Sequence, residues 1–60
     1  DTDYQALLEH LDFSPTSIDT LVDRSGLTVE TVSSMLLLLE LQGYVSSAAG
    51  GLYTRYRQPE

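Results

Sequence analysis

Sixty residues with no cysteine make one small domain without a disulfide framework or a thiolate metal site. Three arginines, no lysine and nine Asp or Glu give a formal net charge of −6. Nucleic-acid binding rests on cations that neutralise phosphates, and an acidic surface is repelled by a duplex over ~10 Å at ordinary salt, so composition argues against an autonomous nucleic-acid binder unless a basic remainder offsets it. No apolar run approaches the roughly 20 residues of a membrane span, and no signal peptide is expected. The chain reads as a piece of a longer cytoplasmic protein.

Thr2 and Gln5 have the spacing of a capping box at a helix start. Tyr4, Leu7, Leu8 and Leu11 then recur at i, i+3, i+4 and i+7, the apolar stripe of a helix. Phe13 is expected to close that helix against the core, and Ser14-Pro15 to end it, because the residue before proline avoids the helical region. Ser17 is a good N-cap for a second helix with Ile18, Leu21 and Val22 inward and Asp19 and Asp23 toward solvent. Gly26 supplies its left-handed stop, Leu27 turns inward, and Thr28 caps a third helix with Glu30 in its first turn.

The third helix is predicted over Val29 to Gln42, stopped by Gly43, with Val29, Val32, Leu36 and Leu39 as its core-facing stripe. Tyr44–Ser47 and Leu52–Tyr56 read as two strands, and Gly50-Gly51 between them permits the positive φ of a tight hairpin. A helix, a short glycine turn and a helix make a helix-turn-helix; the hairpin after it adds a wing. The expected fold is mainly α, a winged helix-turn-helix of three helices and a two-stranded hairpin over residues 1–56, with 57–60 as a tail.

The run Leu39-Glu40-Leu41-Gln42-Gly43-Tyr44-Val45, followed by Ala49-Gly50-Gly51-Leu52-Tyr53, resembles the C-terminal winged-helix domain of the DNA processing protein A (DprA, or Smf) family. The upstream Ser17-Ile18-Asp19, Leu21, Gly26-Leu27 and Val32 are similar to it as well. The resemblance spans nearly all of this chain and only the tail of such a protein. It implies a parent that binds incoming single-stranded DNA on a separate Rossmann-like domain and helps load the RecA recombinase in DNA-mediated transformation. Two positions depart from the pattern. Ser46 and Ser47 stand where the first wing strand commonly carries basic residues, and Leu38 stands where the third helix commonly carries an acid.

Leu37, Leu38 and Leu41 point away from the core stripe, on the helix that would enter a major groove. As a surface they would dock a protein partner or a second copy; Leu41, nearest the hairpin, is equally placed to be covered by the wing. Thr31 and Ser34 on the same helix, and Arg55 and Arg57 on the wing, are the possible DNA contacts, against their ordinary reading as solvated surface. Tyr44, Tyr53 and Tyr56 would stack on unpaired bases or, more commonly, cover a small core. His10 has no second ligand at i+4, no nucleophile has a base beside it, and Gly50-Gly51 lacks the helix and lysine of a phosphate loop.

No enzyme, metal or cofactor is therefore expected. The sequence points to an accessory domain that makes protein–protein or self-association contacts through its third helix, with DNA held mainly by the rest of the parent and neither a membrane nor a small-molecule substrate involved. The alternatives are direct duplex binding through the third helix and wing, and a fragment of an unrelated winged-helix transcription regulator.

Overall fold

The computed structural model describes residues 2–11 and 14–56. Its order is α1 (Thr2–Leu11), β1 (Thr16–Ser17), α2 (Ile18–Ser25), α3 (Val29–Leu41), β2 (Val45–Ala48) and β3 (Leu52–Arg55). Three helices thus precede a hairpin, as the periodicities predict. Thr2 already lies inside α1, so the expected capping box does not start there, and the residue before it lies outside the described residues. Phe13 and the tail 57–60 also lie outside them.

The caps of the other helices are formed as the sequence reads. The Ser17 hydroxyl accepts from the Thr20 amide at 3.2 Å, and that of Thr28 accepts from the Thr31 amide at 3.1 Å. Gly26 ends α2 at φ 76°, a left-handed conformation that costs a glycine little. After α3 the Tyr44 amide reaches back to the Leu39 carbonyl at 2.9 Å, and Gly43 to Glu40 at 3.1 Å. That pair of bonds, with Gly43 at φ 85°, is a Schellman stop, and it turns the chain into β2.

One core joins the elements: Leu7 and Leu11 from α1, Leu21 from α2, Val32, Met35, Leu36 and Leu39 from α3, and Val45 from β2. Each leucine fully buried in this way contributes about 1.5–3 kcal/mol. Val29 does not belong to the stripe, for it is 50% exposed while Met35 is 6% exposed. The inward stripe is 32, 35, 36 and 39, and Val29 falls well off its centre in a first turn that nothing covers.

The wing is also larger than a hairpin. β1 adds antiparallel to β3, pairing Thr16 with Tyr53 and Ser17 with Leu52, and the sheet order is β1-β3-β2. A two-residue strand has no alternation to read, and its partner is far along the chain. β2 and β3 pair antiparallel as a hairpin, Val45 opposite Arg55 and Ala48 opposite Leu52. β2 lies one residue later, and β3 is one residue shorter, than the strands expected from the sequence.

Candidate interaction surface

On α3 the inward stripe leaves an outward face that changes character along its length. Glu30, Thr31 and Ser34 occupy the N-terminal half and are exposed. The C-terminal half presents Leu37, Leu38 and Leu41, exposed by 59%, 45% and 75%. Helical spacing sets this division: Ser34, Leu37, Leu38 and Leu41 are three or four residues apart, so they adjoin on one side. The wing does not cover Leu41, the most exposed of the three.

Leu38 also forms part of a second feature. α2 packs on both α1 and α3, while α1 and α3 scarcely touch each other. A cleft of about 480 Å³ remains between them, lined by Tyr4, Gln5 and Leu8 from α1, by Leu38 and Gln42 of α3 and its cap, and by Tyr44. The Schellman turn puts Tyr44 there, because it folds the residue after Gly43 back toward the last turn of the helix. Tyr53 packs on the core, whereas Tyr44 and Tyr56 are exposed.

The cations are engaged elsewhere. α1 ends without a glycine, so its last carbonyls need donors from outside the helix. Arg24 donates to the His10 carbonyl at 2.8 Å, and Arg55 to the Leu8 carbonyl at 3.3 Å. The Thr16 hydroxyl lies 3.0 Å from the Leu11 carbonyl and 2.9 Å from that of Ser14. Two guanidinium groups at a helix C-terminus also complement its dipole. Arg55 is thus half-buried against α1, and Arg57 lies outside the described residues. Thr31 is held locally, its hydroxyl 2.9 Å from that of Thr28; Ser34 is exposed.

The role of Arg24 escaped the sequence reading, and so did the cleft. A usable signal existed for the first: a helix that closes on Asp12, Phe13, Ser14 and Pro15, with no glycine, calls for outside donors, and the chain has only three arginines. The cleft depends on how far apart two helices are held, which no periodicity encodes. Among the described residues no group of three His, Cys, Asp or Glu is placed to hold a metal ion, and no helix is long and apolar enough to cross a membrane.

With this geometry in place, comparison with protein families gives a match to the DprA winged helix domain over residues 1–51, from α1 to the hairpin tip. The chain belongs to the DprA winged helix domain family. Comparison with curated proteins and with solved structures gives no match. The two departures from the DprA-like pattern now have places in the fold. The Ser47 hydroxyl donates to the Glu40 carboxylate at 3.0 Å, so a carboxylate rather than a cation stands at the base of this wing. Leu38 forms a wall of the α1–α3 cleft and borders the outward leucine face.

Proposed function

We propose that this DprA-type domain is a non-catalytic accessory module that makes protein–protein contacts through the outward face of α3. The observation that carries this reading is the exposure of Leu37, Leu38 and Leu41 on the helix a winged helix uses to enter a duplex. Apolar side chains there gain nothing from phosphates and lose contact with water when another protein covers them. Burying two such leucines contributes roughly 3–5 kcal/mol before association costs. Two of the three arginines serve the fold at the end of α1, which supports the same reading.

In this account the parent protein works in the cytoplasm on transforming DNA and in recombination. Single-stranded DNA and the RecA recombinase are engaged mainly by other parts of that protein. The domain supplies an attachment point, to a partner protein or to another copy of itself.

The test is a double variant, Leu37→Gln with Leu41→Gln. Glutamine is a good helix former, so thermal stability should change by less than about 0.5 kcal/mol per site. Self-association by sedimentation, or capture of a purified partner by the parent protein, should weaken at least about tenfold. Unchanged association on an unchanged fold would leave the leucine face without this role.

A further inference from the structure

Building on that contact role, we infer that the cleft between α1 and α3 seats a basic amphipathic helix of another protein, rather than a second copy of this chain. Shape gives the first argument. The cleft runs between two helices, with Tyr4 and Leu8 on one side, Leu38 and Tyr44 on the other, and the exposed Gln5 and Gln42 beside them. A trough of mixed lining, with leucine and tyrosine faces beside amide groups, accepts an amphipathic helix that places its own apolar residues at i, i+3, i+4 and i+7. Leu37 and Leu41 continue the apolar surface beyond Leu38.

Charge decides what kind of helix. The chain carries −6 overall, and Arg24 and Arg55 are held on the His10 and Leu8 carbonyls of α1. Glu9 is exposed one turn beyond Gln5, and Glu30 is exposed on the outward side of α3, in line with Ser34 and Leu37. A second copy would bring the same acidic surface against this one, whereas a helix flanked by Lys or Arg meets the opposite charge. The two occupants respond to salt with opposite sign. Screening weakens attraction to a basic helix and relieves repulsion between two acidic copies.

The experiment is an NMR titration of the 60-residue chain with three synthetic peptides. One is an amphipathic leucine–lysine helix about five turns long; the second has the same composition in scrambled order; the third replaces lysine by glutamate. The first peptide should shift the amides of Gln5, Leu8, Leu38, Gln42 and Tyr44. Its affinity should fall at least about threefold between about 50 and about 200 mM salt. The scrambled and acidic peptides should bind at least about tenfold more weakly. Gln5→Arg, which places a cation at the cleft and lies off the leucine face, should weaken the first peptide by a similar factor with an unchanged melting temperature.

Equal binding of scrambled and ordered basic peptides, shifts spread over the acidic surface, or indifference to Gln5→Arg would overturn the cleft assignment. Self-association that strengthens with salt and shifts these same amides would make a second copy the occupant. In either case the Leu37→Gln, Leu41→Gln variant still judges the broader contact role, because neither residue lines the cleft.

Discussion

Two helix ends in this domain meet opposite fates. At the C-terminal end of α1 polar groups are drawn in from three other elements: Arg24 from α2, Thr16 from β1 and Arg55 from β3. At the C-terminal half of α3 the backbone stops itself through Gly43, and the side chains left outside are leucines. The first region spends the scarce cations on internal order. The second leaves apolar surface with no internal use. A surface position tells little by residue type alone; what matters is whether the fold has already engaged the group.

Breaking the inward side of α3 should have the largest effect. Leu36 and Leu39 are 0% and 3% exposed, so replacing either by alanine should cost roughly 2–5 kcal/mol through lost transfer energy and a cavity. For a domain this small that is most of its stability, and thermal melting reads it directly. A variant that melts like the parent would mean that α3 is turned differently, and the outward face with it.

Next in size is the polar end of α1. Thr16 is 7% exposed and its hydroxyl serves the Leu11 and Ser14 carbonyls. Thr16→Val keeps the shape and strand propensity but leaves these acceptors short of a donor, with an expected loss of about 1–3 kcal/mol in chemical denaturation. Arg24→Gln, at an exposed site, should cost less, about 0.3–1 kcal/mol, and the loss should shrink with added salt. An Arg24→Gln variant as stable as the parent at low salt would remove that arginine from the fold and return it to the surface.

The smallest change in stability belongs to the leucine face. Leu38→Gln should shift the melting free energy by less than about 0.5 kcal/mol, since Leu38 is 45% exposed. A larger loss would place Leu38 with the core and dissolve the contrast between the two faces of α3.

Much of this was legible in the chain. Caps at Ser17 and Thr28, glycine stops at Gly26 and Gly43, and the stripe of Leu7, Leu11, Leu21 and Leu36 are local or periodic, so spacing reveals them. The family was legible too, through the Leu39–Val45 and Gly50-Gly51 segments, within or adjoining which the match to residue 51 ends. Long-range pairings were not. The Thr16–Tyr53 bridge, the reach of Arg55 to Leu8 and the α1–α3 cleft all join segments distant in sequence, and local propensity carries no information about them. Val29 was misplaced because the true stripe is centred on the side of Val32 and Met35, a rotation that a helix this rich in leucine conceals.

The most direct test of the central claim, that α3 faces protein rather than duplex, is a chemical-shift titration with double-stranded DNA, first at low salt and then at physiological salt. The account predicts weak, diffuse shifts. With Arg55 and Arg57 as the only candidate wing cations, the salt slope should be no steeper than about −2, at roughly −0.9 per neutralised phosphate. Micromolar binding at physiological salt, with the largest shifts at Thr31, Ser34 and the leucines of α3, would contradict it.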